Sequence, residues 1–153
     1  MRATPPPNLL LEQPQFIVIM TLPTEKTVLR ILSAESGAAA EPTDASHLRL
    51  ANDAEVHSLA LEGIACIALD FPKFTDGRAF SQAHVLRRRG FAGDIRATGD
   101  VLIDQLLQLQ RSGFSSAVLR EGQDAAHGAR LLAHYSSFYQ GDVQNVPHFA
   151  KAA

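Results

Sequence analysis

Ile64-Ala65-Cys66-Ile67-Ala68-Leu69 is an unbroken run of six apolar residues. A half-solvated strand alternates apolar and polar residues, whereas a continuous run is the pattern of a strand covered on both faces, as in a parallel sheet with helices on each side. Downstream the period lengthens and shortens in turn. Thr75 or Asp76 is suited to cap a helix running to about Arg89, with Phe80, Ala83 and Val85 or Leu86 turned inward and Gly90 just past its end. Asp94–Thr98 reads as a strand. Gly99-Asp100 opens a second helix, in which Leu102, Leu106 and Leu109 recur at helical spacing before Arg111 and a terminating Gly113. Ser115–Leu119 reads as the next strand, and Asp124 begins a helix toward His134 that buries Leu131 and Leu132. Tyr135–Tyr139 reads as a final strand before a tail containing Pro147.

Upstream, His47–Leu50 reads as a short strand, with a short helix expected from Asn52 or Asp53. Phe16–Met20 and Val28–Leu32 are two further candidate strands separated by the turn-like Leu22-Pro23-Thr24-Glu25, and a hairpin is their simplest arrangement. Ser33–Ser46 is rich in Ala, Ser, Gly and Glu, and its few large apolar groups do not offset the entropy of ordering it. The chain therefore divides into an N-terminal extension, 1–46, carrying a strand or hairpin, and an α/β domain, 47–153. Strands and helices that alternate with few residues between them imply right-handed crossovers and a mostly parallel sheet built from consecutive βα units. Strand count alone leaves open whether that sheet is a flavodoxin-like layer or a partial β/α barrel.

A chain of 153 residues with 46% hydrophobic positions is long enough to bury one core without covalent or metal staples. Its single cysteine, Cys66, rules out an internal disulfide and fits a reducing cytoplasm; its apolar neighbours place it in the core. Fourteen Lys and Arg against sixteen Asp and Glu leave a formal charge of -2, which does not suggest bulk nucleic-acid binding. The apolar stretch Phe16–Leu22 is too short to cross a bilayer, and the proline-rich start does not resemble a targeting segment. A cytoplasmic protein with no membrane partner is the expectation.

In parallel sheets ligands bind beyond the carboxyl ends of the strands, where loops converge and helix N-termini carry partial positive charge. The chain is polar at those points: Asp70, Lys73, Asp76 and Arg78 follow one strand, Arg96, Thr98 and Asp100 lie at or near the end of the next, and Arg120 and Glu121 follow the third. A carboxylate placed directly after an apolar strand, as Asp70 is, needs a cation or donor beside it, and Lys73, Arg78 and Arg96 are candidates. Such a rim suits a small anionic or phosphorylated ligand, with Asp70 or Asp100 as acid or base. The same residues also suit an internal network of ion pairs, with Asp76 and Asp100 as helix caps. The basic triplet Arg87-Arg88-Arg89 reads as a solvated helix end. No phosphate loop, dinucleotide fingerprint, nucleophile elbow or HExxH motif is present, so no cofactor is indicated. The six histidines do not fall at metal-ligand spacing, and no metal site is expected.

The stretches "DFPKFTDGR" at 70–78 with "SQA" at 81–83, "GDIRATGDVLIDQ" at 93–105, "RSGF" at 111–114 and "YQGD" at 139–142 resemble a bacterial family known as domain of unknown function 934. The resemblance spans about the second two-thirds of the chain. Members are commonly labelled probable oxidoreductases linked to sulfite reduction, because their genes tend to lie beside those of sulfite or nitrite reductase. What the resemblance implies is a role in sulfur assimilation, either through a small-anion or nucleotide-like ligand or as a non-catalytic accessory docking on such a reductase; it leaves open whether the chain is an enzyme. Carried over by position, the motif picks out Asp70, Lys73, Asp76, Gly77, Arg78, Ser81 and Gln82, then Arg96, Gly99, Asp100, Asp104 and Gln105. The family's usual cysteine in the last motif is replaced here by Ser112, which argues against an obligate thiol at that position.

Overall fold

The computed structural model describes residues 28–32, 34, 45–135 and 137–151. Five strands form one sheet: β1 (Arg30–Leu32), β2 (His47–Leu50), β3 (Cys66–Phe71), β4 (Asp94–Gly99) and β5 (Ser116–Val118). Among the elements described in full, helices α1 (Arg78–Arg88), α2 (Leu106–Ser112, entered through a 3-10 turn at Ile103–Gln105) and α3 (Ala125–His134) accompany them. The strand order is β1-β5-β4-β3-β2 and every pairing is parallel, so the fold is an open α/β sheet with β1 and β2 as its edges.

That order has a geometric consequence. From β2 through β5 each strand is laid down beside the last in the same direction, and right-handed crossovers taken in one direction put their helices on one face. Ile67, Leu69, Phe71, Ile95, Ala97, Ala117 and Leu119 point to that face, where they form a single buried core with Ala79, Ala83 and Leu86 of α1 and Leu106 and Leu109 of α2. Phe71, Phe80 and Phe114 meet there edge-on or tilted, with ring centroids 5.2–6.1 Å apart. Gly128 of α3 lets that helix approach, since a side chain there would meet Leu106 and Ile31.

Several expectations need correction. The apolar run predicts a strand with helices on each side: α1, α2 and α3 pack on one face, and the helical residue Ala34 lines a cavity on the other. Cys66 and Ala68 point to the other; they count as apolar, yet they are small and their cross-strand neighbours are charged. The strand itself runs two residues further, to Phe71. The short helix expected at Asn52 is a series of turns, and no strand forms among the described residues of 135–139. The first strand of the expected hairpin, Phe16–Met20, lies outside the described residues; the described partner of β1 is β5.

The basic triplet is not a solvated end either. Arg87 donates from Nε to the Gly113 carbonyl (2.8 Å), from Nη1 to those of Phe91 (2.7 Å) and Gly93 (2.8 Å), and from Nη2 to Ser115 Oγ (3.2 Å). Arg89 donates to the carbonyls of Val56 (2.5 Å) and Leu59 (2.6 Å), and only Arg88 remains without a comparable role. Helix ends and loops leave carbonyl groups unpaired, and a guanidinium with five donors satisfies several at once. Arg87→Ala should therefore cost about 2–4 kcal/mol in chemical denaturation, whereas Arg88→Ala should stay within ~0.5 kcal/mol. Equal effects would contradict this assignment.

Candidate functional site

The open face is polar because its strands alternate. In β4, Ile95 and Ala97 enter the core while Asp94, Arg96 and Thr98 face away; in β2, His47 and Arg49 face away from it. Register then sets these side chains in rows. Arg49 pairs with Ala68, Ala68 with Arg96, Arg96 with Ser116 and Ser116 with Arg30, so a line of arginines separated by small residues crosses all five strands.

Asp94 anchors the lower part of this face. Its carboxylate accepts from Ser115 Oγ (2.7 Å), Ser116 Oγ (2.8 and 2.9 Å), Arg96 Nη2 (3.1 Å) and Arg30 Nη2 (3.3 Å). Burial alone pushes this carboxyl upward, but the two hydroxyls and the Arg96 guanidinium outweigh it and hold the group below its ordinary value. The Cys66 thiol lies 3.6 Å from the same carboxylate. Burial, reinforced by the Asp94 charge, pushes the thiol up to about 11, so it is protonated and unreactive near neutrality.

Above this cluster the face opens into a cavity of about 410 Å³. Arg49, Arg96 and Arg120 line it, with Cys66, Ala68 and Val118 among its smaller walls. Each arginine has a carboxylate alongside: Arg49 Nη2 to Asp70 at 3.3 Å, Arg96 Nη2 to Asp94 at 3.1 Å, Arg120 Nη1 to Asp100 at 2.7 Å. Arg96 is the deepest, its side chain only 11% exposed.

The residues expected at the rim divide between two roles. Arg96 lines the cavity, and Asp70 and Asp100 stand beside cavity arginines. Asp76 does not line it; its carboxylate accepts from Asn52 Nδ2 (2.5 Å) and from Arg78 Nε (3.1 Å) and Nη2 (2.7 Å), tying the loop after β2 to the loop after β3. Hydrogen bonds from the Arg78 side chain and backbone draw this carboxyl down to about 2. Arg78 is occupied there and does not reach the cavity. Gln105 is a loop clasp, donating to the Phe74 carbonyl (2.8 Å) while accepting from the Leu102 N–H (3.0 Å). Asp100 serves the same clasp by accepting from the Phe74 N–H (3.0 Å). Lys73 is exposed on the loop between them.

Sequence reasoning passed over Arg49, Arg30, Asp94, Ser115 and Ser116. The signal was present as the polar-apolar alternation of His47-Leu48-Arg49-Leu50 and Asp94-Ile95-Arg96-Ala97-Thr98, which marks a sheet with one polar face. Among the described residues no group of three or more His, Cys, Asp or Glu is placed to hold a metal ion, and no helix is long and apolar enough to cross a membrane.

An open parallel α/β sheet with α1, α2 and α3 on one face and an arginine-lined cavity on the other defines the class of protein. The chain belongs to the bacterial protein family of unknown function DUF934, whose sequence profile matches residues 47–149, from the first residue of β2 into the C-terminal 3-10 turn. No curated protein and no solved structure matches it.

The pKa of Cys66 gives a direct check on the site's electrostatics. Because folding raises it, the stability this protonated thiol contributes is present below the unfolded value near 9 and lost as pH rises through about 11. Iodoacetamide alkylation of the folded chain should be slow at pH 8 and accelerate with a midpoint near 11, while the urea-unfolded chain should show the ordinary midpoint. Fast labelling of folded protein at pH 8 would contradict the buried Cys66–Asp94 arrangement.

Proposed function

We propose that this chain binds a small anionic ligand of sulfur assimilation in the cavity on the open face of its sheet. The observation that carries the reading is the convergence of Arg49, Arg96 and Arg120 on one cavity. Guanidinium groups pair with the oxygens of sulfate-like or phosphate-like groups through two parallel hydrogen bonds, with a geometry lysine does not match. The carboxylates beside them hold the side chains in place before a ligand arrives, so less conformational freedom is lost on binding. Asp70 and Asp100, held beside Arg49 and Arg120, are the groups this reading assigns as acid or base. Lys73, on the exposed loop above, adds long-range attraction. Asp76, Arg78 and Gln105 support the site by tying its loops together. The link to sulfur metabolism, and with it a cytoplasmic location, rests on the family resemblance and its association with sulfite reduction.

A second reading, an accessory protein docking on a sulfite or nitrite reductase, is favoured by a different observation. Tyr139 and Phe149 are 75% and 65% exposed and lie against each other near the C-terminus, with ring centroids 6.1 Å apart. Exposed aromatic pairs are enriched at protein interfaces.

Thermal melting with sulfite, sulfate, adenylyl sulfate, flavins and NADPH separates the two. A ligand at 100 times its dissociation constant adds about 2.7 kcal/mol, roughly 5–10 °C for a chain of this size. At least one of the anions should raise the melting temperature. Arg49→Ala and Arg120→Ala should abolish that rise, while Arg78→Ala, outside the cavity, should preserve it. No shift with any of them, together with recovery of a reductase subunit that depends on Tyr139 and Phe149, would favour docking and overturn ligand binding.

A further inference from the structure

We infer that the ligand of this cavity carries a flat ring joined to its anionic group, as a nucleotide does, and is not a bare oxyanion. The inference rests on the anion-site reading above and narrows it.

Size gives the first argument. A cavity of about 410 Å³ falls in the range of sites that enclose ring-bearing molecules. A five-atom oxyanion would leave most of that volume to water, at roughly 30 Å³ per molecule.

Register gives the second. Arg49 and Arg96 are both directly paired with Ala68, one on each side. Neighbouring strands lie about 4.8 Å apart, so the two arginine backbones stand about 10 Å apart, with nothing larger than a methyl group between them. Cys66 lies two residues before Ala68 on the same face, and Val118 lines the same cavity from β5. The result is a strip of small apolar groups bordered by guanidiniums. A bare sulfate or phosphate gains nothing from such a floor. An aromatic ring does, because its faces pack on apolar groups and on guanidinium planes while its phosphate pairs with Arg120. Arg120, beyond the end of β5, brings the third cation to the outer end of this strip.

The test uses calorimetric titration of the full chain with AMP, FMN and inorganic phosphate, combined with saturation-transfer NMR. At least one nucleotide should bind tenfold or more tightly than phosphate, and its ring protons should receive more saturation than its ribose (AMP) or ribityl (FMN) protons. Ala68→Leu, which fills the strip, should weaken the nucleotide at least tenfold and leave phosphate within twofold. Phosphate bound as tightly as both nucleotides, saturation confined to the ribose or ribityl protons, or a folded Ala68→Leu chain with unchanged nucleotide affinity would each overturn the inference. Should that variant fail to fold, the affinity ratio and ring saturation in the unsubstituted chain decide. Phosphate binding without nucleotide preference would leave the anion site standing and remove only the ring; no binding of any of the three would remove both.

Discussion

The handedness of β-strand connections governs this molecule. Because β2, β3, β4 and β5 are added in one direction, the right-handed crossovers through α1 and α2 place those helices together, and α3 packs beside them after β5, so the apolar core concentrates on one side of the sheet. The opposite face of a parallel sheet then has to be completed by something other than these helices. Here its described part is completed by charge. Asp94, Ser115, Ser116, Arg96 and Arg30 satisfy one another across three strands. Ser115 also receives Arg87 from the end of α1, so the polar cluster and the helical layer share a hydrogen-bonded joint.

This arrangement explains why the cavity's ion pairs are better understood as positioning than as stabilising. Arg49–Asp70 and Arg120–Asp100 are half exposed on the arginine side, and such pairs contribute about 0–1 kcal/mol in water. Their consequence is orientation: each arginine is held beside the cavity instead of sweeping through solvent. Arg96 differs because it is buried against Asp94, where losing either partner would strand a charge. Burial, reinforced by the same carboxylate, keeps the chain's one thiol, Cys66, protonated and therefore poorly nucleophilic at neutral pH.

Much of the architecture was legible in the sequence. The periodicity of Phe80, Ala83 and Leu86, the glycine stop after Arg89 and the leucine spacing from Leu102 located α1 and α2 to within a few residues, and short connections pointed to a parallel sheet. Gly90 and Gly113 do adopt positive φ, 88° and 105°, at the ends of those helices. Which face each strand residue would take was less legible. Cys66 and Ala68 are apolar by type, and their placement is set by register with Arg49, Asp94 and Arg96, a long-range property that no local pattern contains. The rim residues were found because strand ends are readable, but Asp76, Arg78 and Gln105 turned out to clasp loops. A carboxylate next to a guanidinium reads the same in sequence whether the pair serves a ligand or a turn. The short helix expected at Asn52 failed for a related reason: Asn52 donates to Asp76, so its polar group is used between loops and not to cap a helix.

The arginine-lined face of the sheet is where anions should bind. Backbone amide chemical-shift mapping of the full chain titrated with inorganic phosphate tests this most directly. Saturable shifts should cluster at Arg49, Ala68, Arg96, Thr98 and Val118, leaving the amides of α1 and α2 in place. Shifts centred on Lys73, Asp76 and Arg78, or none at all, would contradict it.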